Sequence, residues 1–338
     1  EIKTNSPVKS LADLRKQGYK VIFLATGLGA SQKLGIPGED ASGVIHANNF
    51  LSDVASKKKI DVGNRVVVVG GGNAAVDAAR VALRLGAKKV DLVYRRSRAE
   101  MPAIPSEIED MEKEGVTINF LATPVKVLTR DGKLTGIQCI RMELGEPDAS
   151  GRRRPVPVKG SEFEMPADTL IVAIGQVLDV SKMPVEMAAL RDNIIKVDNV
   201  TLQTEIPDVF AGGDVVLGPA DVIRAVAQGK EAATSIVRYL SGKDLKEGRP
   251  AVRKKVTDIP KNGVVKKARA AMPSLPADKR AGSFAEVELG FDEKTAIEEA
   301  SRCLNCAVCS ECLECLKVCE RKAINHEDKE EIVELEVG

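Results

Sequence analysis

The sequence predicts an α/β fold with two glycine-rich strand–turn–helix units, followed by a separate cysteine module near the C-terminal end. Residues 65–94 contain a β-branched apolar run at 65–69, a glycine-rich turn, an alanine-rich helical pattern at 73–85 and a second apolar run at 90–94, which is the order of a βαβ unit. Residues 209–240 repeat the order of strand, glycine turn and helix. Six of the seven cysteines lie between Cys303 and Cys319. Together these observations predict a body built on a parallel sheet and a metal-binding appendage.

The composition is that of a globular protein whose partners are small molecules and other proteins. The 338 residues are 43% hydrophobic, which is enough for two or three domains with their own cores. Lys and Arg number 50 against 49 Asp and Glu, and this balance argues against a nucleic-acid or membrane-surface binder. No apolar run approaches the roughly 20 residues of a membrane helix, and residues 1–20 lack the features of a secretory signal. We therefore expect a cytoplasmic protein.

The remaining elements mix parallel and antiparallel patterns. Residues 20–27 form a short apolar run that ends in a glycine, which is typical of a buried strand that meets a ligand or a tight turn. Further strands are predicted at 116–121, 135–144 and 169–174, with a polar hairpin tip at 145–155 and a helix at 220–240. Cys139 stands alone on its predicted strand, so we expect it in the core. Residues 243–290 are rich in Lys and Pro and predict a surface lasso.

A glycine-rich turn joins the first strand of the βαβ unit to its helix, in the pattern G-x-G-x-x-A. Gly70 permits the tight turn, Gly72 lets backbone amides approach a pyrophosphate, and Ala75 keeps the helix close to the sheet. The start of the helix, at Asn73 and Ala74, then faces the anion with unpaired N–H groups. These five residues are the predicted dinucleotide contacts, and an ordinary strand-to-helix turn is the alternative.

The end of the second strand indicates which dinucleotide binds. A site for NAD would place Asp or Glu there, where the carboxylate hydrogen-bonds the ribose hydroxyls. This sequence has Arg95 and Arg96 instead. Because guanidinium groups pair bidentately with phosphate, the two arginines favour NADPH, which carries a 2′-phosphate. A solvated basic turn is the alternative.

The second strand–turn–helix unit also has the form of a dinucleotide site. A strand predicted at 209–215 contains Gly213 and Asp214, where a glycine allows close approach and a carboxylate can accept a hydrogen bond from a sugar-like hydroxyl. A helix that starts at Ala220 points its N-terminus at the same place and could stabilise negative charge on a reduced flavin. The spacing alone leaves a plain strand–turn–helix as the alternative.

The cysteine module has the spacing of an iron–sulfur protein. Its gaps read C-x2-C-x2-C-x2-C-x2-C-x3-C, and residues 309–319 contain the C-x2-C-x2-C-x3-C run of bacterial ferredoxins. A structural zinc site is the alternative, which the lack of histidine ligands disfavours. Six cysteines cannot supply full thiolate sets to two [4Fe-4S] clusters. The candidate ligands of one cluster are Cys309, Cys312 and Cys315, with one of Cys303, Cys306 or Cys319 as the fourth.

Five motifs occur in an order that is shared with a known family: ATG at 25–27, GGGNAAVDAAR, YRRSRAEMPA, AIGQ at 173–176 and FAGGD. Over about residues 1–300 the chain resembles the FAD-dependent pyridine-nucleotide oxidoreductases similar to the glutamate synthase small subunit. The resemblance implies an FAD/NAD(P)-binding, Rossmann-like flavoprotein with two dinucleotide-binding domains, in which the FAD domain is split around the NADPH domain. By this match Gly70, Gly72, Arg95 and Arg96 hold NADPH. The crossover and FAD-side candidates are Ala25, Thr26, Gly27, Gly175, Gly213, Asp214 and Ala220, of which Asp214 would bind the ribityl chain.

The motifs also predict the domain boundaries. Residues 1–60 are expected to be the C-terminal part of a first FAD-domain segment whose glycine-rich fingerprint precedes this chain, so that its N-terminus is truncated. The NAD(P)-binding domain is expected at 61–172, the second FAD-domain segment at 173–242, the lasso at 243–290 and a ferredoxin-like iron–sulfur module at 291–338. The tail from Ala323 resembles the stretch that links a cluster to a further FAD domain in heterodisulfide reductase A-type flavoproteins.

The sequence therefore predicts part of a larger flavoprotein that passes electrons between NADPH, FAD and a [4Fe-4S] cluster, with a protein electron acceptor or partner subunit. No acid–base or nucleophilic constellation is visible, and electron transfer of this kind needs none. The electron-input small subunit of a glutamate synthase is one alternative. A non-catalytic scaffold subunit is the alternative of another class.

Overall fold

The computed structural model describes residues 1–148, 151–187, 194–249 and 267–302, together with the backbone of residues 255–256 and 334–335. Its helices are α1 (Leu11–Lys16), α2 (Ala47–Ala55), α3 (Asn73–Arg84), α4 (Pro105–Lys113), α5 (Asp214–Leu217), α6 (Val222–Leu240), α7 (Ala277–Arg280) and α8 (Glu293–Ser301). Its strands are β1 (Ile22–Leu24), β2 (Ala30–Ser31), β3 (Val44–His46), β4 (Arg65–Val69), β5 (Lys89–Tyr94), β6 (Thr117–Phe120), β7 (Ala122–Arg130), β8 (Lys133–Pro147), β9 (Arg153–Pro157), β10 (Phe163–Pro166), β11 (Thr169–Val172), β12 (Gln176–Val177), β13 (Val209–Ala211), β14 (Lys255–Val256) and β15 (Glu334–Leu335). No helix in the described part of the chain is both long and apolar enough to cross a membrane.

The central element is a five-stranded parallel sheet with the strand order β3-β11-β4-β5-β6. Strands β4 and β5 are those of the predicted βαβ unit, and α3 connects them. Strand β11 pairs in parallel with β4, where Val172 lies opposite Val69. This pairing brings the chain that follows β11 beside the glycine-rich turn. Residues 66–69 are all buried, as expected for a parallel sheet that is covered on both faces.

Helices cover one face of this sheet, and an antiparallel sheet covers the other. Helices α2, α3 and α4 pack on the first face around a core that includes Phe50 and Met111. The sheet β10-β8-β7 covers the second face and packs through Ile137 and Leu170. Cys139 is fully buried in this second core, as the sequence predicts, and burial raises the pKa of its thiol to about 12. At neutral pH this thiol is protonated and packs as a small apolar group.

A second body is built from two separated parts of the sequence. Strand β1 pairs in parallel with β13, and Leu11, Ile195 and Val209 belong to its own apolar core. The short strands β2 and β12 pair with each other on the two crossings between this body and the central sheet. Strand β3 lies within the range 1–60 predicted for the first FAD-domain segment, yet it pairs with β11 in the central sheet.

Two elements of the second body differ from the sequence prediction. The strand predicted at 209–215 ends at Ala211, because Gly213 adopts a left-handed φ of 76° and a helical turn starts at the next residue. The helix predicted from Ala220 begins at Val222, because Asp221 caps it and accepts a hydrogen bond from the amide of Arg224 at 2.8 Å. Ala220 therefore lies outside the helix and is exposed.

A buried ion-pair network fixes α3, which begins at the glycine-rich turn, to α4. Glu114 follows α4 with no side-chain exposure, and its carboxylate pairs with Arg80 at 2.7 Å and Arg84 at 2.9 Å. Burial alone would raise the pKa of Glu114, but the two guanidinium groups outweigh it and hold the pKa below its usual value. This network therefore stabilises the fold above the pKa that Glu114 has in the unfolded chain. Its contribution is lost as the pH falls through the lower, folded-state pKa.

We expect Glu114→Gln to lower the free energy of unfolding by about 3 kcal/mol, because it leaves two guanidinium groups without their buried counter-charge. Glu109→Gln is the matched control, since Glu109 is exposed and lies 3.8 Å from Lys113 on the surface of α4. Such a surface pair contributes about 0.5 kcal/mol or less. Urea denaturation at neutral pH measures both changes. A loss for Glu114→Gln no larger than that of the control would show that the network does not stabilise the fold.

Candidate functional site

A cleft of about 740 Å³ lies at the carboxyl edge of the central sheet. Ligands of open α/β sheets bind in the crevice outside the carboxyl ends of the strands. The ends of β4, β5 and β11 and the start of α3 form its walls. The predicted site residues that line it are Gly70, Gly72, Asn73, Ala74, Arg95, Arg96 and Gly175. The fold therefore brings two separate segments with residues predicted to bind NADPH, the glycine-rich turn and the end of β5, to one cleft, together with Gly175 from the predicted crossover; Ala75 does not line it.

The glycine-rich turn leaves room for a ligand on one side only. Gly70 has a positive φ of 147°, and a Cβ there would collide with the carbonyl oxygen of Ala173, so only glycine fits. A Cβ on Gly72 would meet no atom within 4 Å. The backbone at the start of α3 thus faces open space, where a helix N-terminus favours an anion. Ala75 is fully buried and packs the helix against the sheet.

The last residue of β5 and the loop that follows it pack against the glycine-rich turn and hydrogen-bond to it. A Cβ on Gly71 would collide with the ring of Tyr94, so this glycine allows the ring to pack on the turn. The amide of Ala103 donates to the carbonyl of Gly71 at 3.1 Å, and the amide of Ile104 donates to Asn73 Oδ1 at 3.0 Å. The motif YRRSRAEMPA therefore supports the turn as well as carrying arginines, and the spacing of its residues did not indicate this second role.

The two predicted phosphate-binding arginines have different environments. Arg95 is exposed and makes no hydrogen bond or ion pair with the described residues. Arg96 is buried, and its guanidinium donates to the carboxylate of Asp148 at 2.6 Å and to the carbonyl of Arg153 at 2.8 Å. Arg95 is therefore available to a ligand. Arg96, which the sequence predicts as an equal partner, is already engaged with the chain between β8 and β9.

The chain between β8 and β9 contributes a residue that sequence reasoning missed. Arg152 lines the same cleft as Arg95 and Arg96, although residues 145–155 were predicted only as a polar hairpin tip. The run of three arginines at 152–154 is the signal in the sequence that could have indicated it. Its position depends on strand pairing far from the glycine-rich turn.

The FAD-side candidates lie at the ends of β1 and β13. The amide of Gly212 donates to the carbonyl of Leu24 at 3.1 Å, so the segments that follow these two strands start side by side. The amide of Gly213 donates to Gln228 Oε1 on α6 at 2.7 Å, a contact that fixes the turn. The predicted residues of these two segments are Ala25, Thr26, Gly27, Gly213 and Asp214, and none of them lines the cleft.

The start of α6 is different from the expectation for a flavin-binding helix. Asp221 places a carboxylate at its N-terminus and satisfies the amide of Arg224. A negative charge at this position opposes the predicted stabilisation of a reduced flavin by the helix. Ala220 lies just before this cap, and its neighbour Pro219 reaches the edge of the cleft.

The predicted metal ligands Cys303, Cys306, Cys309, Cys312, Cys315 and Cys319 all lie outside the described residues. Within residues 1–148, 151–187, 194–249 and 267–302, no group of three or more His, Cys, Asp or Glu side chains could hold a metal ion. The iron–sulfur interpretation therefore depends on the cysteine spacing.

A family model described as pyridine nucleotide-disulphide oxidoreductase matches residues 2–229. The chain is 44% identical over 321 residues to the NADP(+)-dependent formate dehydrogenase subunit beta of Moorella thermoacetica, covering 90% of this chain and 45% of that protein. It is 39% identical to the NADPH-Fe(3+) oxidoreductase subunit beta of Geobacter sulfurreducens, with coverages of 88% and 49%. It is 37% identical to the glutamate synthase (NADPH) small chain of Escherichia coli, with coverages of 66% and 51%. The chain thus spans about half the length of these relatives.

Solved structures share the fold at low sequence identity. FprA from Mycobacterium tuberculosis in complex with NADPH has a TM-score of 0.57 at 21% identity, covering 72% of this chain and 69% of that one. Thioredoxin reductase from Lactococcus lactis has a TM-score of 0.51 at 21% identity, with coverages of 66% and 67%. These likenesses confirm the predicted α/β, FAD/NAD(P)-binding Rossmann-like fold, whereas the ferredoxin-like module stays a prediction.

We expect Gly70→Ala and Gly72→Ala to have opposite effects on folding and on binding. Gly70→Ala should lower the free energy of unfolding by about 2 kcal/mol or more, because its methyl group meets the carbonyl of Ala173 at a positive φ. Gly72→Ala has room in the free protein and should change that free energy by less than about 1 kcal/mol, yet it obstructs the approach of a pyrophosphate. Urea denaturation and calorimetric titration with NADP+ separate the two effects. An equal loss of stability in both variants would contradict the assignment of a folding role to Gly70 and a binding role to Gly72.

Proposed function

Because the chain belongs to the pyridine nucleotide-disulphide oxidoreductase family, we propose that it carries the NADPH-binding and iron–sulfur parts of an oxidoreductase that passes electrons between NADPH, FAD and a [4Fe-4S] cluster. The observation that carries this proposal is the cleft in which the open glycine-rich turn and Arg95 meet. When bound, the two cofactors supply hydride transfer between nicotinamide and flavin. The part of the protein is to bind them and to place charge around them.

In this proposal different walls of the cleft bind different parts of NADPH. The amides at the start of α3, beside Gly72, bind the pyrophosphate. Arg95, at the end of β5, pairs with the 2′-phosphate, for which a guanidinium is a bidentate partner. Gly175 lines the cleft on the crossing that leads towards the second body, which contains the FAD-side residues.

The FAD half of the site is provided only in part by these segments. Asp214 is half-buried after β13, and we assign it to the ribityl hydroxyls, with the preceding Gly213 held by Gln228. Ala25, Thr26 and Gly27 follow the neighbouring strand. The chain spans about half the length of its relatives, and in this proposal other segments complete the FAD site.

The cysteine module extends the proposal to single-electron transfer. Its support is the ferredoxin-type spacing of Cys309, Cys312, Cys315 and Cys319, with Cys303 and Cys306 as further candidate ligands. The tail that follows resembles heterodisulfide reductase A-type flavoproteins, and we assign the chain to a larger flavoprotein of that kind. The relatives named as subunits beta support a protein partner.

The electron-input subunit of a glutamate synthase is a second candidate, favoured by the 37% identity to the Escherichia coli small chain. The identities of 44% and 39% to two differently named beta subunits favour a more general electron-transfer subunit. A purely structural scaffold is disfavoured, because it has no need for an open cleft beside a phosphate-binding turn.

We expect the full-length protein to oxidise NADPH in preference to NADH, with ferricyanide as the acceptor. Arg95→Ala should raise the KM for NADPH at least about tenfold and that for NADH less than about twofold, because only NADPH loses a charge-assisted hydrogen bond. Arg130→Ala, at the exposed end of β7, is the control and should change neither value. Equal KM values for both nucleotides in the unaltered protein would exclude the proposed specificity.

We expect the anaerobically purified full-length protein to contain about four irons for the cluster of this chain and to give a reduced-state EPR signal. Cys312→Ser should remove the signal of this cluster, because it deletes a thiolate ligand. Cys139→Ala is the matched control and should leave iron content unchanged, since that thiol lies in the core. Stoichiometric zinc without iron would refute the iron–sulfur part of the proposal.

A further inference from the structure

Strands β8 and β9 form a two-stranded ribbon whose tip reaches the cleft. Their ladder shifts register between Leu144 and Pro147, and such a bulge increases twist and redirects side chains. The guanidinium of Arg153 donates to the carbonyl of Leu144 at 2.6 Å and thereby joins the two strands. This hydrogen bond holds β8 and β9 together near the end of the ribbon from which Arg152 lines the cleft.

Arg96 ties this tip to the end of β5. Its guanidinium uses Nη2 to bind the carboxylate of Asp148 and Nε to bind the carbonyl of Arg153, and only 5% of its side chain is exposed. Its own carbonyl accepts a hydrogen bond from the amide of Leu121 at 3.2 Å. A buried guanidinium with these partners holds two elements together, so Arg96 is a positioning residue.

Arg152 is held by the same network. The amide of Asp148 donates to the carbonyl of Arg152 at 2.8 Å, and the next carbonyl, that of Arg153, accepts from Arg96 at 2.8 Å. The backbone is therefore held at the carbonyl of Arg152 and at the residue that follows, while the half-buried side chain of Arg152 lines the cleft. A side chain that extends from a fixed backbone loses less conformational entropy when it binds an anion.

The charges at this end of the cleft suit a phosphate. Three guanidinium groups line this cleft, those of Arg95 and Arg96 from the end of β5 and that of Arg152 from the ribbon, and the carboxylate of Asp148 pairs with Arg96. A phosphate monoester carries about two negative charges at neutral pH and accepts several hydrogen bonds, which two guanidinium groups can donate. We propose that Arg152 is a specificity-determining residue that binds the 2′-phosphate of NADPH together with Arg95. This inference rests on the proposed NADPH binding and adds to it a residue outside the strand–turn–helix unit.

The test compares two adenine nucleotides that differ only in the 2′-phosphate, adenosine 2′,5′-bisphosphate and 5′-AMP, by calorimetric titration of the full-length protein. Arg152→Ala should weaken binding of the bisphosphate at least about tenfold and of 5′-AMP less than about twofold. Arg152→Lys should recover part of the loss. Arg154→Ala, an exposed arginine on β9 that does not line the cleft, is the matched control and should affect neither ligand.

The outcomes separate this inference from the proposed function. Unaltered protein that binds the bisphosphate no better than 5′-AMP would overturn both. Unaltered protein that prefers the bisphosphate, with Arg152→Ala behaving like Arg154→Ala, would overturn the role of Arg152 and leave NADPH binding intact. Equal weakening of both ligands by Arg152→Ala would also overturn it, because the residue would then act on the shape of the cleft.

Discussion

The close approach of Gly70 to the carbonyl of Ala173 determines where the parts of the candidate site meet. Strand β4 ends in the glycine-rich turn, and β11 ends in the crossing towards the second body. With no side chain between them, the two segments lie against each other at the edge of the sheet. The glycine-rich turn, Gly175 and the ends of β4 and β11 therefore line one cleft. A wider spacing at this single contact would move the glycine-rich turn away from the crossing that leads to the second body.

Local features of the site could be predicted from the sequence, whereas features that depend on distant pairing could not. The valine run, the glycine pattern and the alanine-rich helix each have a short-range physical signature, so β4, the turn at Gly70 and α3 were predicted almost to the residue. The position of Arg152 depends on a bulge and on the hydrogen bonds of Arg96, which periodicity does not contain. The cap at Asp221 had a local signal, an Asp directly before an apolar helical run.

Arginines serve two physical purposes in this chain, and their burial distinguishes them. Arg80 and Arg84 share the buried carboxylate of Glu114, and Arg280, buried within the predicted lasso, lies 3.0 Å from Asp110 on α4. A buried cation needs such a counter-charge, so these side chains join elements together. The pair of Arg280 also shows that the segment 267–302 returns to the central body. Arg95, by contrast, is exposed at the cleft, which is the state expected of a ligand-binding cation.

The two outer glycines of the turn place different demands on natural variation. At Gly70 a side chain would collide with the backbone and destabilise the fold. Homologues that still fold are therefore expected to keep glycine at this position, whether or not they retain the activity. At Gly72 the free protein has room for a methyl group, and on the proposed function a bound dinucleotide occupies that space. In a gene copy that no longer binds a dinucleotide, substitutions are therefore expected at Gly72 before they occur at Gly70. On the same proposal, the residue at this position in a homologue indicates whether that lineage still binds the nucleotide.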